Sequence, residues 1–492
     1  MTEPTPDAPP ATGGEVDEQR LANLRRLEDA GYPSFAAGFP AACPLGEARA
    51  GFQEGRNISL AGRLVTMRDM GKSVFADLQD ATGRIQIYLG RNHMPLEAFK
   101  GFHLLDVGDL IGITGEMFVT RSGEQTVKVA DWRLLSKSLR PLPEKWHGLR
   151  DVEIRYRRRH LDLIANAQTR SVFEARCGIV RAVREFLWLR GFVEVETPMM
   201  QAQPGGANAR PFRTHYTALN ADMYLRIAPE LFLKRLLVGG MPRVFELNRN
   251  FRNEGLSRNH NPEFTMLEVY QAWADRRAMQ ELVREMIVTV ARQVCGGERV
   301  GEPAAALDLG APWREATYRE LVLEKMGPAW YDLPLAQARQ AASAQGLTLE
   351  PDWDHAQITH EVYEKLIERT LMQPTFVTRL PAELVPLARR CEDDPSVVDV
   401  FELVIAGMEI APGYAELNDP LEQRRRFAAQ TGAEAQKIDE EFLEAMECGM
   451  PPAGGMGVGI DRLVMVLTGA ESIRDVILFP QLRSVKDLGS GV

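Results

Sequence analysis

The sequence has few cysteines, and their spacing fits neither a disulfide framework nor a thiolate metal site. The 492 residues include only five. They are an odd number, lie far apart and form no CxxC pair, which argues against both kinds of site. We expect scattered, reduced thiols in a reducing compartment. The five are Cys43, Cys177, Cys295, Cys391 and Cys448.

The sequence also lacks long apolar runs and an excess of basic residues. No run approaches the roughly 18 apolar residues of a membrane helix. Residues 1–16 contain neither Lys, Arg nor the apolar core of a secretory signal, so we interpret them as a flexible tail. We expect a cytoplasmic protein without a membrane association. Because the net charge is −10, any nucleic-acid surface must be local.

The first half of the chain changes from a helical to an alternating pattern. Leucines at helical spacing in residues 17–57 predict a helical extension. Residues 58–138 contain about five alternating segments separated by turns, for which a small β-barrel is the natural closure. Residues 139–164 are rich in proline and arginine and predict a linker. Its arginines leave two alternatives open, internal salt bridges or a tRNA backbone contact. They are Arg155, Arg157, Arg158 and Arg159.

The second half, residues 165–492, mixes antiparallel strands with helices that are kept apart from them, which predicts an α+β domain. Its most informative segment is 243–273, where two strands flank a polar loop. Because strand side chains alternate, one face of this hairpin presents polar and ring-bearing residues to a cavity. An isolated arginine is usually a surface charge, but this convergence favours a ligand site. The residues are Asn248, Asn250, Arg252, Phe264, Met266, Glu268 and Tyr270.

Two further segments carry chemical signals. In 454–467, Gly455, Gly457 and Gly459 recur with period 2 before Arg462, so a ligand can approach the strand closely. Ile460 breaks the dinucleotide-binding spacing GxGxxG. In 401–419, three glutamates lie among apolar residues, which is costly without cations. They predict either a magnesium–nucleotide site or, alternatively, solvated edge-strand carboxylates. They are Glu402, Glu409 and Glu416.

These segments resemble the class II aminoacyl-tRNA synthetases. Residues 168–198, 243–273 and 454–467 look like motifs 1, 2 and 3 of that family. The strings PGGANARPF, YLRIAPELFLKR, NRNFRNEG and HNPEFTMLEVY are similar to its lysine branch. The resemblance implies a class II antiparallel-sheet catalytic domain and an N-terminal OB-fold that binds the anticodon. It further implies an ATP-dependent ligase that forms lysyl-adenylate, transfers lysine to the 3′ end of tRNA(Lys) and works as a homodimer.

The resemblance also implies roles for individual residues. Arg252 and Arg462 would be catalytic, holding the α- and γ-phosphates of ATP, with Mg²⁺ as cofactor on two glutamates. The remaining roles are carried over position by position. The implied ATP site comprises Arg252, Glu254, His260, Phe264 and Arg462, and the metal site Glu402 and Glu409; lysine would contact Gly206, Glu230, Arg252, Glu268, Tyr270 and Glu416, and the anticodon Arg68, Phe75, Gln86 and Glu124.

Three alternatives remain at this point. An aspartyl- or asparaginyl-tRNA synthetase shares the architecture, but its pocket needs a cation where this one offers carboxylates. A paralogue that lysylates a protein usually lacks the OB-fold, and a non-catalytic regulator would not need the intact arginines and glutamates. Asn259, Leu380 and Pro412 depart from the family pattern. They put nearby nucleotide and lysine contacts in question.

Overall fold

A computed structural model describes residues 16–39, 42–142, 149–207, 209–301, 306–429 and 438–483. Most of the predicted N-terminal tail therefore lies outside the described residues. The chain forms two compact units, with the boundary between residues 148 and 149. Across the described ranges, no helix has both the length and the apolar character that crossing a membrane requires.

The first unit is a closed five-stranded β-barrel with helices from the N-terminal extension. Its strands are ordered β1-β2-β3-β5-β4, and β1 pairs with β4 to close the barrel. The pattern of Ile85, Ile87 and Leu89 points all three side chains into the core, where they are at most 2% exposed. The elements are α1 (Glu18–Asp29), α2 (Leu45–Ala50), β1 (Asn57–Asp69), β2 (Ser73–Gln79), β3 (Arg84–Gly90), α3 (Leu96–Phe102), β4 (Leu110–Val119) and β5 (Gln125–Ser136).

The second unit begins with three helices and a set of short strands. The long helix α6 places its apolar face, including Ile179, Val183 and Leu187, in the main core. The elements up to the central hairpin are α4 (Val152–Arg157), α5 (Arg159–Ala165), α6 (Ala167–Trp188), β6 (Val193–Glu194), β7 (Met200–Gln201), β8 (Arg213–Tyr216), β9 (Ala221–Leu225), α7 (Glu230–Val238), β10 (Arg243–Phe251) and β11 (Glu263–Ala272).

The remaining elements complete a large sheet and cover it with helices. The helical stretch predicted at 355–371 consists of α11, a π-helical turn at Tyr363–Ile367 and a 3₁₀ turn at Glu368–Thr370. The elements are α8 (Arg276–Cys295), β12 (Arg299–Val300), β13 (Leu307–Asp308), β14 (Arg314–Thr317), α9 (Tyr318–Met326), α10 (Leu335–Ala344), α11 (His355–Val362), β15 (Thr375–Thr378), β16 (Val400–Ile405), β17 (Met408–Ala415), α12 (Pro420–Ala429), α13 (Glu440–Glu447), β18 (Ala453–Gly459), α14 (Ile460–Thr468) and α15 (Ile473–Val476).

The eight-stranded sheet is the scaffold of the second unit and confirms the α+β prediction. Its strand order is β14-β15-β16-β17-β18-β11-β10-β6, antiparallel except for the two edge pairs β14/β15 and β10/β6. Helices α6, α8 and α14 pack on one face, and their apolar side chains join those of the central strands in one core. On the opposite face, α7 and α13 pack in a smaller apolar cluster beside the residues that line a cavity.

The arginines of the predicted linker are largely used inside the second unit. Arg159 is 1% exposed, pairs with Asp162 and donates to the carbonyl oxygens of Leu478 and Ile477. Arg155 pairs with the same carboxylate at 2.9 Å. Burial of these groups is compensated by ion pairs and hydrogen bonds. Of the two alternatives, internal salt bridging therefore accounts for Arg155 and Arg159.

Candidate functional site

The face of the central strands opposite the main core forms the floor of a cavity of about 370 Å³ in the second unit. Strands β11, β17 and β18 contribute to it, together with the loop after β10 and the starts of α7 and α14. Most of the predicted site residues of this unit meet in its wall. They are Gly206, Glu230, Arg252, Glu254, His260, Phe264, Glu268, Tyr270, Glu409 and Arg462.

The β10/β11 hairpin produces this convergence through strand alternation. Leu267 and Val269 are fully buried in the core, whereas Glu268 and Tyr270 between and beside them face the cavity. Arg252 follows the last residue of β10, and its guanidinium carbon lies 5.2 Å from the centre of the Phe264 ring. Its buried Nε has no hydrogen-bond partner among the described residues. The guanidinium is therefore available to an anion placed near the ring.

The outer end of the cavity holds a second cation, Arg462, at the first turn of α14. Arg462 donates to the carbonyl oxygen of Glu409 at 2.8 Å and lies 3.1 Å from His260 Nε2. Since arginine can only donate, this His260 nitrogen accepts, and the other ring nitrogen donates to Ser257 Oγ at 2.8 Å. Burial and the Arg462 charge lower the pKa of His260, which keeps the ring neutral in this role.

The inner end of the cavity is acidic and buried. Tyr270 donates to Glu268 Oε2 at 3.1 Å, and both side chains lie beside Glu230. Burial and the charge of Glu230 raise the pKa of Glu268 to about 8, although the Tyr270 hydrogen bond opposes the shift. Burial also raises the pKa of Tyr270, so its phenol is neutral. A pocket lined by such groups favours a cationic ligand.

The structure places Glu416 just behind this wall, where its carboxylate meets a lysine. Lys234 Nζ lies 2.5 Å from Glu416 Oε2 and 2.6 Å from Glu230 Oε1. Burial raises the pKa of Glu416 to about 7, against the lowering effect of Lys234. Glu416 Oε1 has no hydrogen-bond partner within the described part of the chain. A Cβ at Gly455 would lie 2.0 Å from that oxygen, which explains one of the three predicted glycines.

A second group of carboxylates lies at the outer end, on β16, β17 and the irregular turns after α11. Tyr363 donates to Glu402 Oε2 at 3.1 Å, and the Glu409 amide donates to Glu368 Oε1 at 3.1 Å. Burial and the charge of Glu409 raise the pKa of Glu402 well above its usual value. Mutual repulsion of this kind suits a divalent cation. In the described ranges, however, no three such side chains already have metal-binding geometry.

The predicted anticodon residues share one outer face of the barrel in the first unit. Arg68 pairs with Phe75 across β1/β2, and Phe75 pairs with Tyr88 across β2/β3, with the two rings 5.0 Å apart. Gln86 lies two residues before Tyr88 and accepts a hydrogen bond from Thr126. Glu124 is exposed in the turn before β5. A partly exposed aromatic surface flanked by an arginine can stack unpaired bases.

Sequence reasoning missed three residues at these sites. Lys234 is fully buried behind the inner end of the cavity, Tyr414 lines the cavity and is partly buried, and Tyr88 extends the aromatic surface of the barrel. Strand alternation could have found Tyr88, since Gln86 was already assigned to that face. Of the three departures from the family pattern, Asn259 and Pro412 line the cavity, whereas Leu380 is a core residue.

Both units match known protein families. Residues 151–483 match the family described as tRNA synthetases class II (D, K and N), and residues 58–135 match the OB-fold nucleic acid binding domain. The first match includes every predicted site residue of the cavity. The second includes all four predicted anticodon residues.

Relatives named lysine–tRNA ligase are similar over nearly the whole chain. That of Moorella thermoacetica is 50% identical over 473 residues, covering 94% of this chain and 97% of the relative. That of Pelotomaculum thermopropionicum is 48% identical over 489 residues, or 96% and 97% of the two chains. The heat-inducible lysine–tRNA ligase of Escherichia coli K12 is 49% identical over 439 residues, or 87% of each.

The buried Glu268 predicts a pH-dependent difference in stability. Because its pKa is about 8 in the folded protein and 4.5 ordinarily, its contribution to stability is full below pH 4.5 and is lost as the pH rises through 8. Glu268→Gln cannot ionise, so the variant should gain stability over the parent with rising pH, by on the order of 4 kcal/mol above pH 8. Urea unfolding without ligands at pH 5, 7 and 9 measures this difference.

Glu263→Gln is the matched control, because Glu263 lies on the same strand and its side chain is 42% exposed. Its stability should follow that of the parent at all three pH values. If Glu268→Gln also followed the parent, the raised pKa of Glu268 would be wrong.

Proposed function

The chain belongs to the class II tRNA synthetases of the D, K and N group, and we propose that it is a lysine–tRNA ligase. It activates L-lysine with ATP to lysyl-adenylate and transfers lysine to the 3′ end of tRNA(Lys). The observation that carries the choice of amino acid is the buried acidic end of the cavity. Glu230 and Glu268 line this end, Glu416 lies behind it, and the three together suit a substrate with two ammonium groups.

The lining residues favour one orientation of lysine in the cavity. Glu230 and Gly206 hold the α-ammonium, while Glu268, Tyr270 and the unpartnered Oε1 of Glu416 surround the side-chain ammonium. The lysine carboxylate then points to Arg252. An apolar amino acid would leave the buried carboxylates without partners, which discriminates far more strongly than a missing methylene group. An aspartate or asparagine side chain would find no cation at the inner end.

ATP occupies the outer end. Phe264 stacks on the adenine, and Glu254 and His260 support the nucleotide. Arg252 holds the α-phosphate and Arg462 the γ-phosphate, since a guanidinium fork suits phosphate oxygens. A second cavity of about 1170 Å³ shares Asn259, His260, Glu409 and Arg462 with the first, which gives the distal phosphates and pyrophosphate a way out.

The outer carboxylates fit a divalent metal, and we assign Mg²⁺ to Glu402 and Glu409. Their mutual repulsion, seen in the raised pKa of Glu402, is relieved by a cation. Bound with ATP, Mg²⁺ neutralises phosphate charge. Hard carboxylate oxygens are the ligands it prefers. Tyr363 restrains Glu402 through its hydrogen bond, so the carboxylate is already directed.

The protein residues promote the reaction by positioning and electrostatics, without a protein nucleophile. Arg252 lies between the lysine carboxylate and the α-phosphate, so it aligns the attacking oxygen with the phosphorus and stabilises the charge that develops there. Arg462 is held by the Glu409 carbonyl and by neutral His260, which fixes its direction toward the leaving group. The terminal ribose hydroxyl of the tRNA then attacks the adenylate carbonyl, the bond from that carbon to the phosphate oxygen breaks, and AMP leaves.

The barrel binds the anticodon through Arg68, Phe75, Gln86 and Glu124, with a base stacked on Phe75.

A homodimer is proposed because large apolar side chains remain exposed where α6 ends and β6 begins. Trp188, Leu189 and Val193 are 54%, 85% and 50% exposed. Since aminoacylated tRNA is used by ribosomes, the proposed location is the cytoplasm.

ATP–pyrophosphate exchange measured with each of the twenty amino acids tests the proposed function. Lysine should support exchange at a rate far above that of any other amino acid, because only its two ammonium groups satisfy the acidic end. Preferred exchange with aspartate or asparagine would assign the chain to another branch of the family. Absence of exchange with all twenty would favour a binding protein over an enzyme.

Arg252→Ala should lower lysine-dependent exchange by about 10²- to 10³-fold or more while leaving the fold intact, because a phosphate clamp is lost. Arg249→Ala is the matched control. Arg249 lies three residues earlier, is 39% exposed and faces Glu263 at 3.7 Å. Normal exchange by folded Arg252→Ala would remove the clamp assignment.

Glu402→Gln and Glu409→Gln should each raise the Mg²⁺ concentration for half-maximal exchange by about tenfold or more, because each loses charge with little change in shape. Glu392→Gln, which removes an exposed carboxylate paired with Arg389, serves as control. Unchanged magnesium titrations for both test variants would rule out this metal site.

Phe75→Ala should raise the KM for tRNA by about 5- to 150-fold and leave tRNA-independent exchange unchanged, since a stacked base contributes about 1–3 kcal/mol. Phe35→Ala removes another exposed ring of the same unit and should change neither. Equal losses of aminoacylation and exchange in Phe75→Ala would instead indicate a structural role.

A further inference from the structure

Lys234 is an unusual residue to find behind the wall of a pocket proposed to bind lysine. It is fully buried on α7, and its side chain reaches two buried carboxylates. Its ammonium lies between Glu230, one turn earlier on the same helix, and Glu416, which follows β17. Burial alone would lower the pKa of Lys234, but the two carboxylates raise it above its ordinary value. The group is therefore a permanent internal cation.

The charges at the inner end form a simple set. Three carboxylates are buried there: Glu230, Glu268 and Glu416. Tyr270 and Tyr414 have raised pKa values and are neutral. Two arginines lie nearby, but Arg226 is paired with Glu246 at 2.6 Å and Arg252 lies against Phe264 toward the outer end. Lys234 is thus the cation paired with two of these three carboxylates, Glu230 and Glu416.

We propose that Lys234 is a positioning residue that sets the charge of the amino-acid pocket and thereby its preference for a substrate with two ammonium groups. The inference rests on the proposed lysine activation. Three carboxylates face three ammonium groups once lysine is bound, one from Lys234 and two from the substrate. Without Lys234, one carboxylate would have no cationic partner. With a second internal cation, one ammonium group of the substrate would have no carboxylate partner.

The position of Lys234 also separates the two ends of the substrate. Its ammonium touches Glu230, which holds the α-ammonium, and Glu416, which holds the side-chain ammonium. Its positive charge therefore offsets the repulsion between two carboxylates that would otherwise repel or share a proton. Lys234 pairs with Oε2 of Glu416, and Oε1 has no hydrogen-bond partner within the described part of the chain. An ion pair formed only for stability would be expected to satisfy that buried acceptor as well.

The test compares Lys234→Met, Glu416→Gln and the double variant in lysine-dependent ATP–pyrophosphate exchange. Lys234→Met leaves one carboxylate in excess, and Glu416→Gln leaves one ammonium group in excess. Each single change should therefore lower kcat/KM for lysine by about 100-fold. The double variant has two carboxylates for two substrate ammonium groups. It should be at least about tenfold more active than either single variant. The KM for ATP should stay within about threefold of the parent in all three.

Arg235→Met is the matched control, because Arg235 is the next residue of α7 and also loses two ion pairs, with Asp439 and Glu441, outside the cavity. It should keep parental lysine kinetics. If Lys234 had only a structural role, the losses would accumulate and the double variant would be no better than the worse single variant. Arg235→Met would then share the defect of Lys234→Met.

The design remains decisive if Lys234→Met does not fold. The double variant keeps the charges balanced and is then compared with Glu416→Gln alone, over which it should gain about tenfold. A double variant that fails to fold, or that is no more active than Glu416→Gln, overturns the proposal. Failure of the parent protein to activate lysine would instead overturn the proposed function.

Discussion

The antiparallel pairing of β11 between β10 and β18 is the constraint on which both the core and the cavity depend. Its alternation sends Leu267 and Val269 into the main core and Glu268 and Tyr270 to the opposite side. A shift of one residue in this pairing would exchange the two sets. It would bury carboxylates among apolar helices and expose the core. The stability of the second unit and the composition of its pocket are therefore fixed by the same register.

That register also requires small residues on the neighbouring strand. Tyr270 pairs with Gly455 and Glu268 with Gly457 on β18. A side chain at Gly455 would meet both the Tyr270 ring and the Glu416 carboxylate. The absence of a side chain at Gly455 thus leaves room for the Tyr270 ring and the Glu416 carboxylate. Glycine weakens a strand on its own, but here the central position in an eight-stranded sheet compensates for it.

Much of this arrangement could be predicted from the sequence, because it follows from local periodicity. The faces of the hairpin, the glycine stripe and the barrel strands all have period 2, and the α+β class was confirmed. The contacts of Lys234 could not be predicted in this way. On an amphipathic helix, a lysine normally extends to solvent. Only the tertiary approach of Glu416, 182 residues away in number from Lys234, turns it inward. The irregular turns that place Tyr363 and Glu368 near Glu402 and Glu409 could likewise not be predicted from helical periodicity.

At both ends of the cavity, neighbouring groups hold charged side chains in place, although the charges at the two ends are of opposite sign. At the outer end, cations must be held in place before their anionic ligand arrives, and Arg462 is restrained by a carbonyl oxygen and a neutral histidine. At the inner end, carboxylates must be kept ready for cationic groups, and Lys234 restrains two of them. In each case the restraint uses part of a charged group's bonding capacity and leaves the rest open. Because the low dielectric of a buried site strengthens charge interactions, partial pairing stabilises these charged groups in the folded protein and still leaves them able to bind a ligand.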